Sequence, residues 1–184
     1  MALTAANARI FGSDSDTVNV APIGSTLPTT LGALDAAFVD IGWLGPDGIS
    51  FTPSDNVQKF RGHQGGAVVR TAITESDTSF SFQALESTIE NWSLQWNVTS
   101  TGTAGGVTTT VMTPGRLVLA RAFVVDLYDR DDATIHHRFV IERGEIGARE
   151  AIKAANGEII AYQFTVEVIA GNDFIHLTND PAFA

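Results

Sequence analysis

The hydrophobic pattern changes period once along the chain, between Thr78 and Asn97. Phe80, Phe82 and Ala84 alternate with Ser79, Ser81 and Gln83, the two-residue period of a half-buried strand. From Leu85 the apolar positions move to helical spacing, and Leu85, Ile89, Trp92 and Trp96 fall on one face. Ser87 and Glu90 are placed as in a capping box, so the pattern predicts a short helix over about residues 87–97. A helix of about ten residues is marginal alone and needs a sheet to lie on. Leu85, Ile89, Trp92 and Trp96 are its expected packing residues.

Strands are expected on either side of this stretch. A short one is predicted at Ala8–Phe11, followed by a long irregular N-terminal loop over 12–35 that is interrupted by Pro22 and Pro28. Ala37–Leu44 carries Phe38 and Trp43 and is a further candidate strand. Residues 45–66 are expected to form a long hairpin loop. Its fragments Ile49–Thr52 and Val57–Arg61 are broken by Pro53 and Gly62, and Ala67–Thr74 follows as a firmer strand. After the helix, a Gly/Thr-rich loop leads into a strand around Val107–Met112. The longest apolar strand runs from Arg116 to Asp129, with Leu117, Leu119, Phe123, Val125 and Leu127 in one phase. A turn then returns the chain through Thr134–Glu142. Asn156-Gly157 signals a hairpin into Glu158–Ala170, where Ile160, Tyr162, Phe164, Val166 and Val168 alternate with polar residues. The aperiodic tail, 171–184, is expected to be an arm that docks on a partner. No repeat or linker divides the 184 residues, so one antiparallel β-sandwich or barrel-like domain flanked by a single short helix is expected over 1–184.

Composition narrows the function more than the fold. Cysteine is absent, which removes disulfides, thiolate metal sites and a cysteine nucleophile. No apolar run is long enough to span a bilayer, and the N-terminus lacks the features of a secretory signal. A net charge of −10 argues against gripping a phosphate backbone. Metal binding has little support: Asp14 and Asp16 have a D-x-D spacing, but the rest of a calcium loop is missing. His136 and His137 would point to opposite faces of a strand. No H-E-x-x-H, G-x-S-x-G or phosphate loop is present, so neither an enzyme nor a cofactor is expected. Charge is also uneven. Residues 1–55 hold six aspartates and one arginine, whereas 56–74 hold Lys59, Arg61 and Arg70 and no acid.

The passage T-S-F-S-F-Q-A-L-E-S-T running into W-S-L-Q-W-N is preceded by an irregular loop and a long interrupted hairpin. Antiparallel strands and a C-terminal arm follow it. This arrangement resembles the major tail proteins, or tail tube proteins, of bacteriophages with long flexible tails, and the fold of that family is similar to the tube protein of type VI secretion. The resemblance implies a virion structural protein of the tail, assembled in the host cytoplasm. Six copies would form a ring, and rings would stack into a conduit for genome delivery. The implied partners are further copies, the tape measure, the tail terminator and baseplate or tip proteins. Double-stranded DNA would pass through without specific binding.

The residues supply matching expectations. Asp14 and Asp16 on one side, and Lys59 and Arg61 on the other, are candidate inter-ring contacts, with the tail from Gly171 as the alternative receiver of the hairpin. Gln163, Thr165 and Glu167, or alternatively Arg138 with Glu142, are candidates to face the lumen. The rival readings are a head decoration or tail terminator protein, or a β-sandwich binding module. A binding module would require Trp43 and a second tryptophan exposed on one concave surface.

Overall fold

The computed structural model describes residues 7–115 and 118–183. Its elements run β1 (Thr17–Ala21), β2 (Val39–Asp40), β3 (Leu44–Arg61), β4 (Val68–Ala84), α1 (Ile89–Gln95), β5 (Val98–Ala104), β6 (Val107–Met112), β7 (Ala120–Tyr128), β8 (His136–Arg149), β9 (Tyr162–Val168) and β10 (Phe174–Thr178). A 3-10 turn, Pro181–Phe183, follows the last strand. The main sheet is ordered β2-β1-β7-β8-β9-β4-β3 with β10 attached to β8, and β5–β6 forms a separate hairpin.

Strand β8 folds this sheet over on itself. Its first half pairs with β7 and with β10, while Gly144–Arg149 pair with β9. A Cβ at Gly144 would lie 2.6 Å from Val166 and 2.9 Å from the Phe123 ring, so glycine is what lets the two halves close here. Rings from the two halves meet inside the resulting sandwich. Phe80 stands edge-on to Phe123 at 5.2 Å, and Phe51 lies 4.6 Å from Phe139. Phe80, Phe82, Phe123 and Phe164 are fully buried, and each contributes about 1.5–3 kcal/mol through burial.

A smaller core lies on the other side of β7. Ala122, Val124 and Val140 are covered there by Leu27 and Leu34 from the 22–38 segment and by Ile175 and Leu177 from β10. Strand β7 is therefore buried on both faces, which explains its nearly unbroken apolar sequence. Leu117, expected in its inward phase, lies outside the described residues.

Several expectations need correction. The strand expected at Ala8–Phe11 is absent among the described residues; the Ile10 carbonyl there accepts the Arg130 N–H at 2.7 Å. A strand instead lies inside the expected loop. Thr17–Ala21 pairs with both β2 and β7, and its neighbours bury both of its faces. The Asn156-Gly157 turn sits within an irregular connection, because β9 begins only at Tyr162. The tail does not project. Strand β10 adds to β8 of its own chain, since Phe174, Ile175 and Leu177 find apolar partners there.

The helix is shorter than expected and turns a different face inward. Thr88, not Ser87, caps it by accepting the Asn91 N–H, while the Ser87 hydroxyl meets the Tyr162 hydroxyl at 3.0 Å. Starting at Ile89 rotates Asn91 and Leu94 into the core. The Asn91 amide donates to the Ile41 and Glu86 carbonyls at 2.8 and 2.9 Å, satisfying main-chain groups at the helix entry. Ile89 and Trp96 are left 42% and 43% exposed, Leu85 precedes the helix, and Trp92 is half-buried against Tyr162.

Candidate assembly surfaces

Three surface features stand out on the molecule, and a fourth is the tail folded back on its own chain. The first is a projecting arm. Strand β4 pairs with β9 only from Thr78 onward, so Ser54–Arg61 and Val68–Asp77 extend beyond the body as a two-stranded ribbon. Its tip turns through Gly65 and Gly66, both at positive φ, and the Arg61 guanidinium donates to the Gly66 carbonyl at 2.9 Å. Irregular pairing at Asn56/Val57 and Phe60/Arg61 adds local twist. Lys59, Arg61 and Arg70 stand on this arm beside exposed Val57, Phe60, Val69 and Ile73. A bare two-stranded ribbon is marginal in water, and clustered exposed apolar groups mark a contact surface. The expected hairpin over 45–66 is thus the outgoing strand and tip of a longer hairpin that spans Leu44 to Ala84.

The second feature is an acidic cleft of about 510 Å³. It is lined by Asp14, Asp16, Asp40 and Glu86, with Trp43 70% exposed beside them and no lysine or arginine among the lining residues. Backbone amides hold most of these carboxylates. Asp16 accepts from Tyr128 N–H at 2.8 Å and Gly12 N–H at 3.0 Å. Asp40 accepts from Gly42 N–H at 2.9 Å, and Glu86 from Trp43 N–H at 3.0 Å. Any side chain at Gly42 would strike the Glu86 carboxylate, so that glycine keeps the cleft open. Trp96 does not line it, so the paired tryptophans that a sugar-binding surface would need do not meet here.

Arm and cleft lie at opposite ends of one strand. Strand β3 begins at Leu44, a cleft residue, and ends at Arg61 near the arm tip. Its 18 residues, at about 3.3 Å each, separate the two by up to roughly 60 Å. The sequence brought Asp14 and Asp16 into one group and Lys59 and Arg61 into another; the structure adds Asp40, Glu86 and Trp43 to the first.

The third feature is a polar face. Gln163, Thr165 and Glu167 stand opposite Gln83, Ser81 and Ser79, on the side of the sheet away from Phe164 and Val166. Ser50 and Thr52 continue the row onto β3. Where β8 adjoins β9, Glu145 stands opposite Glu167, and Arg143 donates to Glu145 at 2.7 Å. Of the alternative pair, burial removes Arg138 from any open face. Arg138 is only 4% exposed; it grips Asp126 at 2.6 Å and donates to the Thr30 and Gly32 carbonyls, pinning the 22–38 segment.

The fourth is the clasped tail. Asp180 is bound by Arg9, and that bond holds its carboxyl far below the usual carboxylate range. His137 and His176 stack with Nδ1 and Nε2 at 3.0 Å; burial and then His137 push His176 down. His136 faces the other way, 2.7 Å from Asp126. Among the described residues no three His, Asp or Glu side chains are grouped to hold a metal, and no helix is long and apolar enough to cross a membrane.

The family model described as "Phage tail tube protein" matches residues 1–180. No curated protein matches the chain.

Proposed function

The chain belongs to the phage tail tube protein family, a structural component of the virion tail, and from that premise we propose that copies of it close into rings that stack into a hollow conduit for the genome. Six copies per ring is the number that the family resemblance implies. The observation that carries the stacking is the placement of the cationic outer part of the arm, residues 56–74 with Lys59, Arg61 and Arg70, and an acidic cleft at opposite ends of β3. A surface that complements the far end of its own copy makes a head-to-tail contact, and such contacts propagate without limit. Complementary charge sets the register of that contact.

The polar face built from Gln163, Thr165 and Glu167 is the surface best suited to the lumen. It carries hydroxyls, amides and carboxylates, and a conduit so lined repels phosphates and lets DNA slide. The outer side of β7 and β8 is unsuited, being covered by the 22–38 segment. Tape measure, terminator and baseplate or tip proteins would meet the ends of the tube.

Electron microscopy of the concentrated protein, alone and with its tail-assembly partners, tests the reading. Hollow filaments with a regular axial repeat support it. Compact closed particles, or decoration of a preformed shell, would reject it in favour of another virion role.

A further inference from the structure

The β5–β6 hairpin belongs to neither the arm, the cleft nor the polar face. It leaves the body beside α1, tied at its root by Thr113 N–H to the Asn97 carbonyl at 2.9 Å and by Trp92 Nε1–H to Met112 Sδ at 3.1 Å. Beyond that root its strands pair only with each other among the described residues. Gly105 and Gly106 have φ of 60° and 77°, the two left-handed positions of a tight hairpin turn. Ala104 and Val107 close that turn and so exchange both backbone bonds. Alternation along the ladder then turns the N–H groups of Thr101 and Thr103 outward on one edge, and those of Thr108 and Thr110 outward on the other. The Thr103 and Thr108 hydroxyls, 2.9 Å apart, fit the closer, non-hydrogen-bonded pair.

From Asn97 to Gly115 no residue is charged, in a chain of net charge −10. Soluble proteins guard an open edge with lysine, proline or a bulge, and between Ser100 and Val111 this ribbon has none of these.

We propose that the hairpin is a strand-addition element, completed by an edge strand of a second copy of this chain. Charge selects the occupant. Copies of an acidic chain repel each other, and this ribbon is where they approach without opposing or desolvating charges. It offers no cation to a phosphate backbone, and its threonines give a bilayer little to bury. The inference rests on the self-assembly reading but not on the arm–cleft contact.

Hydrogen exchange on the isolated subunit and on assembled tubes tests it. Either the Thr101 and Thr103 amides or the Thr108 and Thr110 amides should slow by about tenfold or more on assembly. Two proline pairs, Thr101→Pro with Thr103→Pro and Thr108→Pro with Thr110→Pro, each delete outward donors and leave the bonds within the hairpin. One pair should reduce the assembled fraction about tenfold with the melting temperature of the subunit unchanged. Unprotected hairpin amides in intact tubes, protection that appears only with a different tail protein, or normal assembly of both variants overturns the proposal and leaves the tube reading standing. If the unmodified chain never forms tubes with its tail partners, both fall.

Discussion

Arg9, near the start of the described chain, grips Asp180, near its end, with two prongs: Nε and Nη2 reach the two carboxylate oxygens at 2.7 and 2.5 Å. Asp180 also accepts the Ala182 N–H at 2.8 Å, and Arg9 stands 3.7 Å from Asp129 in the turn before β8. The clasp fixes both ends of the described chain against one hairpin, and the stacked His137–His176 pair lies next to it. A tail that the sequence leaves aperiodic is therefore part of the folded subunit.

That geometry sets a pH dependence. His176 is held below its ordinary value of 6.5, so the docked tail binds fewer protons than a released one. Docking is at full strength above 6.5 and weakens as pH falls towards the lower docked value, where the loss levels off. Asp180 acts in a more acid range. Its contribution is present above 3.8 and is lost only as pH falls from there through its depressed value. Exchange of the β10 amides, corrected for intrinsic rates, should be faster near pH 5 than near pH 7. His176→Phe should remove the difference, whereas Arg9→Ala should loosen the tail at both.

The helix offers a sharper contrast. Leu94 is 1% exposed, whereas Ile89 and Trp96 are 42% and 43% exposed. Leu94→Ala should cost about 2–5 kcal/mol in urea unfolding of the subunit. Ile89→Ala and Trp96→Ala should each stay within about 1 kcal/mol. Larger losses at Ile89 and Trp96 than at Leu94 would mean that the helix packs through the face its spacing suggests.

Arg138 gives the largest expected single effect outside the aromatic core. It is the cation facing the buried carboxylate of Asp126, and it anchors the 22–38 segment through two carbonyls. Arg138→Met leaves that charge without its guanidinium, at a cost of about 3–5 kcal/mol. Adding Asp126→Leu should recover much of the loss. Exchange in the 22–38 segment should nevertheless stay fast, because its carbonyl donors are still missing. Denaturant midpoints and exchange rates measured on the two variants separate these effects.

Alternation made β4 and β9 legible, and an apolar run made β7 legible, because burial on one or both faces imposes a pattern that survives in sequence. Thr17–Ala21 was invisible: five residues between Gly/Asp and Pro carry too little pattern, and only its partners reveal its place. The continuity of β3 was also hidden. Pro53 suggests a break, but β3 is the sheet's edge strand, where a missing N–H costs no ladder bond. The same blindness affected the site. The opposing charges of Asp14 and Lys59 were readable, while their separation along one continuous strand was not. Nor did sequence bring Asp40 and Glu86 to Asp14, since backbone amides of Gly42 and Trp43 do that.

That separation makes the arm and cleft testable by charge exchange. Lys59→Glu with Arg61→Glu should leave subunit stability within about 1 kcal/mol, because both side chains are exposed. The same variant should abolish assembly at low salt, where its arm and the cleft now repel. Asp14→Lys with Asp40→Lys should fail alone for the same reason. Mixing the two variants should restore both kinds of contact, the reversed arm in the reversed cleft and the native arm of the cleft variant in the native cleft of the arm variant. Tubes of alternating copies should then form, while combining all four substitutions in one chain should restore tubes from that chain alone. Normal salt dependence of assembly in the arm variant would show that this pairing does not set the stacking. Tubes from the mixture and from the combined chain, with none from either double variant alone, measured by light scattering and microscopy, would show that the contact runs head to tail between copies.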